Sequence, residues 1–289
     1  MSVELVLEPS VHVVAHTVIH PNGLAAWADA HGMNMLLRDD GTPLGAIQRD
    51  VMSGPWSASI DALPEFGGRF CYRSWEKGRS RPEYLQNIVE SAHGSVLHHS
   101  TVSFAISGVS RSLSLELLRH HAGADPSQES QRYVDAADVR FVVPPLILAL
   151  SDEPGSEYLL AGFKDRCERA LASYEDQQLV LRGLLEPTDK EAGQLAVKLG
   201  TMRKKRILEG ARSHLPNCAE TRLLWTMNLR AARHVCALRG GEGADLEIRR
   251  LAVVFTRILQ QLAPHTFYDF EVYGAPDGFE AVRCLHPKV

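Results

Sequence analysis

The chain has 289 residues, enough for a sizeable core in one large domain or two small ones. Apolar residues make up 45% and charged residues 23%, and 22 glycines with 15 prolines are too few for a low-complexity chain. With 31 Lys and Arg against 35 Asp and Glu, the formal net charge is −4, which argues against a DNA-coating protein while leaving room for a local basic pocket.

No run of 18 apolar residues occurs, so no membrane span is expected. The longest candidate, Phe141 to Leu150, is broken by Pro144 and Pro145. Met1-Ser2-Val3-Glu4 has neither a basic nor an apolar leader region, so no secretory signal is expected. Cys71, Cys167, Cys218, Cys236 and Cys284 are odd in number, far apart in sequence and without a C-x-x-C pair, which predicts a reduced, cytoplasmic protein.

Val11 to His20 is rich in β-branched residues and predicts a strand. Residues 21 to 62, with scattered Gly, Pro, Asp and Asn, read as loop-rich. A helix is expected over Glu83 to His93, ending near Gly94. Thr101 to Ser107 alternates apolar Val102, Phe104 and Ile106 with polar neighbours, a half-buried strand. Ser110 is then the N-cap of a helix over Arg111 to His120 that turns Leu113 and Leu117 inward. Ala122 to Pro126 reads as a loop, because Gly123 and Asp125-Pro126 break a helix. Helices follow over Glu157 to Leu185, Asp189 to Glu209, Glu220 to Arg239 and Ala244 to Ala263, the last with a clear apolar stripe. The expectation is one α+β domain over residues 1–289, with a mixed sheet flanked by helices and a helical second half.

The densest polar cluster runs from Glu116 to Tyr133. On one helix, Glu116, Arg119 and His120 would share a face. A loop and then Ser127-Gln128-Glu129-Ser130-Gln131-Arg132-Tyr133 would suit an anion, which guanidinium forks and backbone N–H groups both recognise. A salt-bridged helix end with a polar loop is the bland alternative. On the expected helix Glu220 to Arg239, Asn228 and Arg239 return to nearly one face, roughly 16 Å apart along the axis. Arg230 and His234 share another stripe, and Arg212 is near enough in sequence to join them. Arginines in so apolar a helix are either paired internally or bound to a ligand.

Other features point less far. His12, His16 and His20 share a strand face but span too far for one metal ion. His98-His99 and His120-His121 lack partners at zinc spacing. Arg203-Lys204-Lys205-Arg206 reads as a solvated helix face, with nucleic-acid contact the minority reading. Ser130 has no hydrolase context, Cys218 has no neighbouring base and Cys284 lies in the C-terminal tail, so none reads as a nucleophile.

Several linked motifs together carry a resemblance. Gly67-Gly68-Arg69-Phe70-Cys71-Tyr72, His93-Gly94-Ser95-Val96-Leu97-His98-His99, Gly108-Val109-Ser110-Arg111 and Leu118-Arg119-His120 occur in order. Ser127 to Val134, Asn228-Leu229-Arg230, Leu238-Arg239, Asp245 to Arg249 and Tyr268-Asp269-Phe270 follow. From about residue 64 to about residue 272 the chain resembles the flavin-dependent thymidylate synthases (ThyX), with residues 1–62 as a variable N-terminal segment. The family signature is Arg-His-Arg, seven residues, then Ser. Here Arg119-His120-His121 is followed by eight residues before Ser130, and His98 stands where Glu is common.

The resemblance implies a ThyX-like fold in a homotetramer with shared active sites. It implies FAD held by residues matching His93, Ser95, Arg119, His120, His121, Gln128, Asn228, Arg230 and His234. It implies a nucleotide held by Glu116, Arg119, Gln128, Ser130, Gln131, Arg132, Arg212 and Arg239. The implied activity is reductive methylation of uracil C5, dUMP to dTMP, with methylenetetrahydrofolate and NADPH as co-substrates and Arg239 polarising the base. The longer loop and His121 leave UMP as an alternative substrate. A ThyX-fold protein that binds nucleotide or nucleic acid without catalysis is a second alternative. No metal and no membrane partner is expected, and nucleic acid is not the favoured partner.

Overall fold

The computed structural model describes residues 3–30, 59–74, 79–185 and 193–289. The strands are β1 (Leu5–Val6), β2 (Ser10–His16), β3 (Thr101–Ser110), β4 (Ala124–Gln128), β5 (Phe141–Val142), β6 (Glu220–Asn228), β7 (Phe270–Gly274) and β8 (Glu280–Cys284). The α-helices are α1 (Pro21–Ala30), α2 (Ala62–Tyr72), α3 (Arg81–Glu90), α4 (Arg111–Leu117), α5 (Pro145–Leu150), α6 (Leu159–Leu184), α7 (Gly193–Ala211), α8 (Leu229–Arg239) and α9 (Leu246–Leu262). Short 3₁₀ turns cover Gly94–His99 and Arg212–His214. The main sheet has the order β2-β3-β6-β4; β1 pairs with β5 in parallel and β7 with β8 antiparallel. The α+β class is as expected.

The chain divides into two compact units. The first comprises Met1–Ser10, Ile106–Leu118 and Ser127–Leu224; the second comprises Val11–Ala105, Arg119–Pro126 and Trp225–Val289. In the first, Phe141, Val143, Phe163, Leu171 and Tyr174 form a buried cluster. Tyr174 keeps its hydroxyl satisfied there, donating to Asp135 at 2.9 Å and accepting from the Ala136 N–H at 3.0 Å. In the second, Phe255 of α9 packs against Phe104 and Trp225, with ring centroids at 4.8 and 5.8 Å. The α9 stripe of Ile248, Leu251, Ala252, Phe255 and Leu259 is buried as its spacing predicts.

Four expectations need correction. The segment expected as a helix over Glu220 to Arg239 is β6 followed directly by α8. Thr221, Leu223, Trp225 and Met227 are buried at every second position, the strand period, although Leu and Met favour helices. Asn228 and Arg239 therefore do not share a helix face: Asn228 caps α8 and Arg239 is its last residue. The helix after Ser110 ends at Leu117, so Glu116, Arg119 and His120 do not share one helical face either.

The expected loop over Ala122 to Pro126 gives way at Ala124 to β4, an edge strand, where a proline costs no inner ladder bond. Within the expected loop of residues 21 to 62, Pro21–Ala30 is helical. Proline suits the first turn, and the His20 Nδ1 accepts the Gly23 N–H at 2.9 Å. The rest of that stretch, up to residue 58, and the start of the Asp189 helix lie outside the described residues.

Candidate active site

The second unit holds a cavity of about 570 Å³ around the start of α8. Six of the expected flavin residues line it: Arg119, His120, His121, Asn228, Arg230 and His234. His98, the Ala122-Gly123 turn, Ala231, Val235 and Pro287-Lys288-Val289 complete the described wall. Among the described residues lining it are three Lys or Arg side chains, four histidines and no Asp or Glu. His93 and Ser95 sit on the preceding 3₁₀ turn, exposed and not among the lining residues.

Local chemistry builds this corner. Asn228 leaves β6 in an extended conformation, and its Oδ1 accepts the Ala231 N–H at 2.9 Å, starting α8 without a loop. The free N–H groups of a helix start favour anions. The Asn228 N–H donates to the Gly123 carbonyl at 2.9 Å. Gly123 has φ +77°, and a Cβ there would stand 2.2 Å from Nδ2 of Asn228, so only glycine fits this turn.

Electrostatics set one ring, His120, apart from its basic neighbours. Arg239 Nε donates to His120 Nε2 at 2.8 Å. Burial, then the charges of Arg239, His234 and His121, push the His120 pKa down to about 4. His120 is thus neutral at pH 7, a hydrogen-bonding group rather than a charge. The His234 ring stands edge-on to it, with centroids 5.6 Å apart. Arg230 Nη1 lies 3.5 Å from His98 Nε2.

The first unit holds most of the expected nucleotide residues. Gln128 Nε2 donates to Ser114 Oγ at 2.9 Å and to Thr221 Oγ1 at 3.0 Å, which fixes its amide. Ser130 Oγ accepts the Arg132 N–H at 3.3 Å, and the Arg132 guanidinium pairs with Glu209. Gln131 lines a smaller cavity of about 200 Å³ with Glu129, Asp135, Arg140 and Glu220. Glu116 is half-buried on α4, and Arg212 is exposed on its 3₁₀ turn.

One further cation belongs in this picture. Arg111 donates to the Glu129 carbonyl and to Thr221 Oγ1, both at 3.4 Å. Burial and then the charge of Arg212 push its pKa below the usual guanidinium value. Two arginines that repel one another beside Gln128's partner Thr221 suit an anion. Arg111 occurs in a recognised motif, but nothing in its spacing separates it from a surface arginine.

The nucleophile question closes on chemistry. Burial, then Asp269, pushes the Cys284 thiol up to about 11. Cys167 and Cys218, far apart in sequence, bring their sulfurs to 3.8 Å, and this proximity, with burial, holds the Cys167 thiol high. Neither Cys284 nor Cys167 is thus an activated thiolate. No group of three potential metal-ligating side chains occurs among the described residues, and no described helix is long and apolar enough to cross a membrane.

Fold and site together define an α+β protein with a cavity at a helix start that is rich in basic side chains and has no Asp or Glu among its described lining residues. Residues 57–265 match the family model described as thymidylate synthase complementing protein. The flavin-dependent thymidylate synthase of Mycobacterium sp. (strain JLS) is 42% identical over 233 residues, spanning 78% of this chain and 87% of that protein. The protein of the same name from Mycobacterium avium (strain 104) is 43% identical over the same length and shares. This chain belongs to the family of flavin-dependent thymidylate synthases.

Among solved structures, the UMP/dUMP methylase PolB from Streptomyces cacaoi bound with 5-Br UMP is similar with a TM-score of 0.59. It covers 93% of this chain and 96% of that chain at 18% identity, a likeness of fold. The same protein with 5-Br dUMP gives a TM-score of 0.58 over 92% and 96%, also at 18% identity.

Proposed function

We propose that the protein is a flavin-dependent methyltransferase that converts dUMP to dTMP, with methylenetetrahydrofolate as carbon donor and NADPH as reductant. The observation that carries this reading is the cavity wall of the second unit: among its described residues are three Lys or Arg side chains and four histidines, and no Asp or Glu. Such a wall suits a polyanion, and a flavin dinucleotide brings one through its diphosphate. A volume of about 570 Å³ lies within the usual range for cofactor pockets. The residues present therefore fit FAD.

When bound, the flavin carries the hydride and relays the one-carbon unit. The chain's own residues bind and polarise. Arg119, Arg230 and the α8 start attract the phosphates. Neutral His120 accepts from Arg239 and holds that guanidinium in place. A guanidinium is too weak an acid to act as a base at neutral pH, so Arg239 serves as an electrostatic stabiliser and not as a proton acceptor. Aimed at N3 and O2 or at O4, it would stabilise the anion that develops as the N3 proton is polarised, and that anion pushes electron density towards C5.

Ser130, Gln131, Arg132, Arg212 and Glu116 take the nucleotide's phosphate and base, with Gln128 beside both ligands. His93, Ser95 and His121 complete the flavin and folate surroundings. The assembly is a homotetramer whose subunits share active sites, and the compartment is the cytoplasm.

The test is uptake of FAD by the purified full chain, followed by turnover of dUMP and UMP in parallel. A yellow protein that methylates dUMP supports the reading. Turnover of UMP alone assigns the longer Ala122–Pro126 segment to a changed sugar preference. A colourless protein that takes up no FAD rejects the flavin reading and favours a non-catalytic nucleotide or nucleic-acid binder.

A further inference from the structure

The segment after β8 turns into the flavin cavity, and a buried ion pair sets its path. Arg233 of α8 meets Asp269 through Nη1–Oδ1 at 2.7 Å and Nη2–Oδ2 at 3.0 Å, with the residues 3% and 5% exposed. Both also hold the backbone of His286. Arg233 Nη2 donates to the His286 carbonyl at 3.0 Å, and the His286 N–H donates to Asp269 Oδ2 at 3.1 Å. A buried pair of this kind is a costly way to add stability, but it allows one geometry only.

Three residues on, Val289 is buried where Gly94 has no side chain. A Cβ on Gly94 would stand 2.7 Å from the Val289 carbonyl carbon and 3.2 Å from Nε of Arg230. The segment is therefore fixed at His286 and again at Val289. Lys288 lies between these anchors. It is exposed and lines the cavity with Arg119 and Arg230.

We infer that Lys288 is a cofactor-binding residue, a third cation beside Arg119 and Arg230 for the diphosphate of the flavin dinucleotide. This rests on the flavin reading of the cavity. A lysine acts on phosphate as a point charge, so the contribution depends on charge more than on fork geometry. It must also weaken with salt if the site stays open to water.

The test is titration of the flavin-free full chain with FAD and, separately, with riboflavin, which has no phosphate, followed by flavin fluorescence. Lys288→Ala is expected to weaken FAD binding about tenfold at low salt and by less at 0.5 M salt. Lys288→Arg should stay within about threefold of the parent, and riboflavin affinity should be equal in all three proteins. Because Lys288 is exposed, the variants should melt with the parent. FAD binding unchanged in Lys288→Ala, or an equal loss for riboflavin, overturns the inference and leaves the flavin reading standing. A parent protein that binds neither flavin overturns both.

Discussion

Arg239 donates its Nε–H to Nε2 of His120 at 2.8 Å, across 119 positions of sequence. The bond fixes more than a distance. His120 must leave Nε2 unprotonated to accept it, so a neutral ring carries its proton on Nδ1. A permanent cation is thereby held by a neutral, half-buried acceptor that lines the cavity.

Replacing Arg239 by Ala should lower methyl transfer at least about a hundredfold, the scale of losing one preorganised donor. FAD affinity should stay within about threefold. The His120 pKa should rise from about 4, because the Arg239 charge is the second cause of its depression. Turnover assays, flavin titration and histidine NMR read the three effects. Full activity in this variant would remove Arg239 from the mechanism.

Acid should loosen the second unit through the same histidine. Its folded pKa of about 4 lies below the ordinary 6.5, so the unfolded chain takes up the proton first as pH falls. The stabilising contribution is complete above pH 6.5 and disappears as pH drops towards 4. His120→Gln, which has no charge to gain, should show a smaller fall in melting temperature between pH 7 and pH 4.5 than the parent. Equal falls would contradict the assignment.

Gly123→Ala combines two costs that Gly155→Ala separates. Both glycines have positive φ, +77° and +89°, but a Cβ at Gly155 meets open space while one at Gly123 collides with Asn228. Gly155→Ala should cost about 1 kcal/mol from backbone strain alone. Gly123→Ala should cost distinctly more, because the α8 cap must move, and should weaken FAD binding as well. Calorimetry and flavin titration on the two variants decide it, and similar losses at both sites would sink the account of this turn.

Arg132 and Glu209 pair with side chains 42% and 32% exposed, so the pair adds little to stability. Glu209→Ala should leave unfolding free energy within about 1 kcal/mol of the parent. Arg132→Ala should instead raise KM for dUMP about tenfold or more and leave KM for NADPH unchanged. Steady-state kinetics with each substrate varied in turn make the comparison. An equal rise in both KM values would mark Arg132 as structural.

Elements with a strong period were legible in the sequence. The α9 stripe, the β3 alternation and the Ser110 cap, whose Oγ accepts the Leu113 N–H at 3.0 Å, appear where the residues predict them. The β6 segment was not, because Leu223, Leu224 and Met227 favour a helix locally and only pairing within the sheet makes it a strand. The residues that short motifs suggest for the flavin largely line one cavity, as Arg119, Asn228 and Arg230 do. Relationships across the chain were invisible: nothing near His120 announces Arg239, nothing near Gly123 announces Asn228, and nothing in Pro287-Lys288-Val289 announces a cavity wall.

The central claim is flavin-dependent methylation of a uracil nucleotide. The most direct measurement is product analysis by mass spectrometry after incubating dUMP with the full chain, methylenetetrahydrofolate and NADPH, with FAD present and with FAD stripped. The account predicts dTMP in the first reaction and none in the second. Equal dTMP in both, or none in either, would contradict it.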